Sequence, residues 1–389
     1  MGLRVLVASS VLAKIADWQM GIVVPLAVLS ITGSIATALF TFAFRGMAYA
    51  LSPLIGTVID RVDRRTVFAT AQFLQALCLA IVALTITRPV IIAVCLLLSG
   101  FGGVASNIAG QFVLIPQVVA ADRRERAVAQ LTSAIEIAKV FGLIMGGAVL
   151  SFSGPTAAAW VITALYVVAG LVALLLKPSP VTPRPWAWRS DLATGFRWLA
   201  HHEVRWLVLA MSVSNLAVGA IETVLITRLS TMGIRALSAS VLIALGLVAA
   251  ALGSRLSPYL FPRHRVEVRI LLFQAAAFLA LCVTASPTLI ASMAGFLTLS
   301  LALGASNVVS IYYRQDVIPQ DVAGRVNAVI RMFIAGAIPL SAIVYSFSSH
   351  LPDALFWGPP IALGAAGLMT WWIYTAIHPP STLPRLSIT

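Results

Sequence analysis

The chain has 389 residues, 60% of them apolar and 10% charged, with a mean hydropathy of +0.98 and a formal net charge of +13. Soluble domains carry about 25% charged residues, so a water-soluble globule is excluded and a lipid bilayer is the solvent that fits. In hydrocarbon only helices and closed barrels satisfy their own backbone polar groups. The apolar stretches here are long and continuous, which selects helices over the short alternating strands of a barrel.

At about 20 residues per crossing, the length accommodates twelve spans: 5–29, 36–58, 66–86, 90–114, 127–150, 156–176, 205–229, 236–260, 267–285, 289–312, 324–347 and 355–377. The first runs to full span length with Asp17 in its middle, so no cleavable leader is expected. The longest polar stretch, 177–204, contains the Pro-rich segment Pro178–Pro185 and divides the chain nearly in half. It reads as a linker (177–204) between a first half (1–176) and a second (205–377), with a tail at 378–389. Around Asp191–Leu207, Phe196, Trp198 and Leu199 face Arg197, His201 and His202, the pattern of an amphipathic helix lying on a membrane surface.

The basic residues sort by side. Arg4, the Arg61–Arg65 group, the Arg123–Arg126 group, the linker arginines with Lys177 and Arg205, the Arg255–Arg269 group, Arg314, Arg325 and Arg385 fall on one face, 19 of the 26 basic residues. The other face keeps Arg88, Arg228 and Arg235. The positive-inside rule puts the first face, with both termini and the linker, in the cytoplasm. The excess charge therefore has a topogenic use, and no nucleic-acid partner is expected.

The second half echoes the first. Ala105-Ser106-Asn107 returns as Ala305-Ser306-Asn307, and Ile115-Pro116-Gln117 as Ile318-Pro319-Gln320. Both matches lie in or just after spans 4 and 10, in the same order.

Ionisable residues inside spans are costly and face partners or a cavity. Span 1 carries Lys14 and Asp17 one turn apart, span 2 Arg45, span 5 Glu136 and Lys139 one turn apart, span 7 Glu222 and span 11 Arg331. Lys14–Asp17 and Glu136–Lys139 read either as satisfied i,i+3 pairs or as cavity residues. Arg45 needs Asp17, another helix or a ligand. A carboxyl isolated in an apolar site can exchange a proton near neutral pH, which makes Asp17, Glu136 and Glu222 the candidates for proton coupling. With Lys14, Arg45, Lys139 and Arg331 against three acids, a shared cavity would be net positive and suit an anionic substrate. Asn107 and Asn307 are cavity candidates or interhelical hydrogen-bonders, and Gln111 a further cavity candidate. Trp18 and the Tyr312-Tyr313 pair read as ligand contacts or interfacial anchors. Gly100, Gly102, Gly103, Gly142, Gly146 and Gly147 permit close helix packing. Cys78, Cys95 and Cys282 all fall inside spans and read as small core residues. No spacing for zinc, haem or a phosphate loop is present, so no cofactor and no metal site is expected.

The loop Gly56-Thr57-Val58-Ile59-Asp60-Arg61-Val62-Asp63-Arg64-Arg65 resembles the G-x-x-x-D-R-x-x-R-R signature between helices 2 and 3 of the major facilitator superfamily, with Asp63 in place of the commoner Gly. The stretches Ala16-Asp17-Trp18, Pro25-Leu26-Ala27-Val28 and Thr32-Gly33-Ser34 are similar to the branch of enterobactin exporters and macrolide-efflux proteins. So are Gly195-Phe196-Arg197-Trp198-Leu199, Asn215-Leu216, Gly219-Ala220, Tyr313-Arg314-Gln315 and Gly324-Arg325-Val326-Asn327. Gly142–Gly147 lacks the Pro common in span 5 of such exporters.

The resemblance implies an all-α integral membrane protein of twelve transmembrane helices in two parallel six-helix lobes, with substrate near the midplane between them. It implies a conformational latch in which Asp60, Arg61, Arg64 and Arg65 pair with each other and with a helix N-terminus of the other lobe. The expected function is proton-antiport export of a siderophore or drug-like amphiphile from an inner-membrane monomer, with the substrate, protons and the lipid bilayer as partners and no covalent chemistry. Siderophore uptake, metal-ion export of the ferroportin type and a non-transporting sensor are the alternatives. The five histidines, all in loops or at helix ends, speak against the metal reading.

Overall fold

A computed structural model describes residues 2–59, 62–109, 124–178, 188–319 and 323–377. The described residues form helices and connecting turns, with no strand among them. In chain order the helices are α1 (Gly2–Thr32), α2 (Ile35–Met47), α3 (Ser52–Ile59), α4 (Arg64–Leu84), α5 (Pro89–Ile108), α6 (Arg124–Ala173) and α7 (Trp188–Trp198). They continue with α8 (His202–Val218), α9 (Ile221–Thr231), α10 (Ala236–Leu256), α11 (Val266–Thr284), α12 (Leu289–Val317), α13 (Ala323–Ser348) and α14 (Gly358–Ile377).

Eleven stretches of the described residues are long and apolar enough to cross a membrane. One of them, 133–173, counts twice. Gly154 sits at φ 78° inside α6, followed by Pro155, and the chain reverses there. The arm before it runs alongside α1, with Gly142 against Ile15 and Gly146 against Gln19. The arm after it runs back, with Tyr166 on Asp17 and the Ala169 carbonyl on Ser9. Eleven plus one gives the twelve crossings expected.

Two crossings are interrupted. Span 2 is α2, a 3-10 turn at Ala48–Leu51, and α3; Pro53 has no N–H to give the preceding turn. Span 7 breaks at Gly219-Ala220 between α8 and α9. The break is tied to α13: Asn215 Nδ2 donates to the Ile334 carbonyl (2.8 Å), Ala220 N to Ser341 Oγ (3.1 Å) and Tyr345 Oη to the Ala217 carbonyl (2.8 Å). The freed backbone groups at the break are thereby met within the protein, the condition for irregular backbone at membrane depth.

The repeat is clearest in the backbone. Gly33 and Gly233, 200 residues apart, hold φ of 64° and 79° in the turns after the first span of each half. Such angles favour glycine. A Cβ at Gly100 would collide with the carbonyl oxygen of Arg45, and one at Gly304 with that of Ala250. Gly100→Ala and Gly304→Ala are each expected to lower stability by about 1–3 kcal/mol through overpacking, read as a lower unfolding midpoint in detergent.

The halves meet where α2 packs on α13, α6 on α10 and α1 on α9. At the face opposite the chain's N-terminus, Ser346 Oγ donates to the Ala36 carbonyl (3.1 Å) and Leu237 N to Ser151 Oγ (3.0 Å). Arg235 lies over the Phe152 ring in the same region. The linker helix α7 docks on α13, Phe196 edge-to-face with Phe333 at 6.1 Å, and also touches α3. Part of its apolar side is thus turned to protein, where the sequence pattern alone suggests the membrane surface.

Asp63 accepts from Thr66 N (3.3 Å) and Thr66 Oγ1 (2.9 Å) and caps α4. That gives a local reason for the one departure from the signature loop, since Asp is among the preferred N-caps.

Candidate functional site

Asp17 is the centre of a buried polar network in the first half. Its carboxylate accepts from Lys14 Nζ at 2.9 Å, from Tyr166 Oη at 2.6 Å and from Arg45. Lys14 and Asp17 lie one turn apart on α1, so helical geometry alone puts them side by side. Arg45 arrives from α2 and Tyr166 from the second arm of α6. Lys14 also reaches Asn107 Oδ1 on α5 at 3.4 Å. A small cavity adjoins Lys14 and Asp17, with Ser10, Ser106, Asn107 and Phe68 among its walls.

The network continues from α5 onto α4. Gln72 Nε2 donates to Ser106 Oγ (2.6 Å) and Gln75 Nε2 to Gln72 Oε1 (3.3 Å). The second half repeats the first of these bonds, with Gln274 Nε2 on Ser306 Oγ at 3.4 Å. The charges are not repeated: at the 200-residue offset of the repeat, Leu245 stands at the place of Arg45, Ser214 at that of Lys14 and Ala217 at that of Asp17. Over Gly103 two polar groups face a common space. Gln75 Oε1 lies 3.4 Å and Arg45 Nη2 3.6 Å from where a Cβ would stand. Gln75 Oε1 and the Arg45 Nε–H have no hydrogen-bond partner among the described residues.

A second cluster lies between the halves. Lys139 Nζ pairs with Glu136 Oε1 at 2.7 Å and sits 5.8 Å from the centre of the Trp18 ring. Its charge also reaches Glu222 in the first turn of α9, just past the span-7 break. Trp18 follows Asp17 in sequence, so α1 turns one residue into the first half and the next toward the interface.

The other candidates fall elsewhere. Arg331 lies within electrostatic reach of Arg314, which donates to Asn327 Oδ1 (3.4 Å) and the Ser310 carbonyl (3.3 Å). Asn307 is exposed, while its neighbour Ser306 is buried. Arg64 and Arg65 open α4. Asp60, Arg61 and Gln111 lie outside the described residues. Tyr312 is exposed, whereas Tyr313 is buried against Tyr374, the two hydroxyls 2.9 Å apart.

The sequence reading missed Tyr166, Gln72, Gln75 and Ser106. Tyr166 is the only tyrosine in span 6, and Gln72 and Gln75 stand one turn apart in an otherwise apolar span. Polar residues in such spans seek partners, and that signal was available.

Solved structures of similar fold include three transporters. A bacterial homologue of the iron transporter ferroportin, in its inward-facing state, has a TM-score of 0.75 at 17% identity over 96% of this chain and 98% of that one. The nucleoside transporter NupG has a TM-score of 0.74 at 16% identity over 98% and 100%. An autoinhibited peptide transporter of the POT family has a TM-score of 0.76 at 12% identity over 100% and 99%. At these identities the likeness speaks to the fold. No curated protein matches the sequence. The sequence profile of the Major Facilitator Superfamily matches residues 6–342, which includes both charge clusters and all but the last crossing. The chain is a multi-pass membrane transporter and belongs to the Major Facilitator Superfamily.

Proposed function

We propose that the protein is a secondary active exporter of an organic small molecule, a siderophore or a drug-like amphiphile, driven by proton antiport and alternating access. In this reading it works as a monomer in a bacterial-type inner membrane with both termini cytoplasmic. The observation that carries it is the placement of Glu222. The carboxyl sits in the first turn of the helix that resumes span 7 after its break, on the second half and within electrostatic reach of Lys139 of the first.

The helix N-terminus is a favourable place for a carboxylate, and rocking of the halves changes the distance from Glu222 to the Lys139 ammonium. Glu136 keeps Lys139 paired when Glu222 is neutral. Asp17, held by two cations and a phenol, serves as the fixed electrostatic core of the first half.

Inverted membrane vesicles with an inside-acid pH gradient test the reading against a panel of siderophores and amphiphilic drugs. The expected result is accumulation that collapses with a protonophore. Accumulation independent of the gradient would remove the antiport mechanism, and gradient-driven extrusion from the vesicles would point to uptake in the cell. For the signature loop, Asp60→Asn is expected to cut transport severalfold while membrane insertion, read by the amount of folded protein, stays at the wild-type level. Wild-type transport in that variant would leave the loop a purely topogenic role.

A further inference from the structure

We propose that the cavity beside Lys14, inside the first half, binds a small monovalent anion, either a carboxylate of the transported molecule or a free inorganic ion. The inference rests on the transporter reading only for the first of those sources. Three observations carry it.

Among the described residues the Asp17 network holds two permanent cations, Lys14 and Arg45, against one carboxylate, and the third donor, Tyr166, is neutral. The side chains of Lys14 and Asp17 are each 13% exposed and that of Arg45 20%. A surplus positive charge at that depth calls for a counter-charge.

Lys14 lines the cavity. The other polar residues on its walls are Ser10, Ser106 and Asn107, and the one acid there among the described residues, Asp17, is already engaged three times. Lys14 has three N–H donors, of which Asp17 takes one at 2.9 Å and Asn107 a weaker one at 3.4 Å.

The arrangement exists in one half only. The second half keeps the Gln274–Ser306 bond but carries Leu245 at the place of Arg45 and Ser214 at that of Lys14. A surplus of charge confined to one copy of a repeat marks a built feature of that copy, not a packing need of the fold.

The test uses the full-length protein in lipid nanodiscs. Sodium acetate and, in parallel, sodium chloride are titrated at constant ionic strength, with a bulky sulfonate buffer making up the balance, and the unfolding midpoint is read. The expected result is a saturable rise in Tm of about 2–4 °C with at least one of the two anions. Lys14→Gln abolishes the rise, and Lys139→Gln retains it. Ala13→Leu fills the cavity with every charge in place and also abolishes it, which keeps the test sharp if Lys14→Gln folds poorly. Acetate binding that competes with the transported molecule assigns the site to the substrate's carboxylate. Binding of either anion without such competition assigns it to a free ion. No saturable rise with either anion, or an equal rise in Lys14→Gln and Ala13→Leu, overturns the proposal. Absence of proton-driven transport with the anion-dependent rise intact would overturn the antiport reading and leave this one standing.

Discussion

Asp17→Asn is expected to destabilise the protein by about 3–5 kcal/mol, the cost of leaving buried charges without their partner. The substitution keeps the shape of the side chain and removes its charge. Lys14 and Arg45 are then left as like charges in a low-dielectric core, and the Tyr166 hydroxyl loses a charged acceptor for a weaker neutral one. The double variant Asp17→Asn with Arg45→Met is expected to recover much of the loss, because removing a buried pair together costs far less than removing one member. Denaturant unfolding of the four proteins of that cycle measures the coupling. Additive losses in the double variant would mean that Asp17 and Arg45 do not act as a pair.

Glu222→Gln is expected to abolish uphill, gradient-driven transport while downhill exchange of substrate continues. Glutamine preserves the size of the side chain and its place in the first turn of α9, but cannot gain or lose a proton. The structural cost is small, since the break itself is held by Asn215, Ser341 and Tyr345. Parallel uphill and downhill assays in proteoliposomes separate the two activities. Loss of both together would assign Glu222 to substrate binding or folding, and retention of both would move proton coupling to another group.

The sequence made the crossings legible because each is a long apolar run, and the runs end where charges and turn residues cluster. It also placed the ionisable residues on the right spans. What it could not supply was the rotation of each helix. Successive residues on a helix point about 100° apart, so the repeated Ala-Ser-Asn did not reveal which member faces inward. The structure shows that Ser106 and Ser306 carry the shared interaction with Gln72 and Gln274, whereas Asn107 meets Lys14 and Asn307 is exposed. The same ambiguity hid the convergence of Lys14, Asp17, Arg45 and Tyr166, which come from three different helices. The interruption at Gly219-Ala220 was also invisible, because it contains no proline and lies inside an apolar run. At Gly154 the reverse holds: the Gly-Pro pair marks the reversal plainly in the sequence.

The central claim is that substrate movement is coupled to protons through Glu222. The most direct measurement is the internal pH of proteoliposomes carrying a trapped pH-sensitive dye, followed as a transported substrate is added outside with no pre-set gradient. Antiport predicts that substrate entry drives protons out and the lumen turns alkaline, at a rate proportional to substrate flux, and that Glu222→Gln gives flux without the pH change. Substrate flux in the wild-type protein with no change in lumen pH would contradict the account.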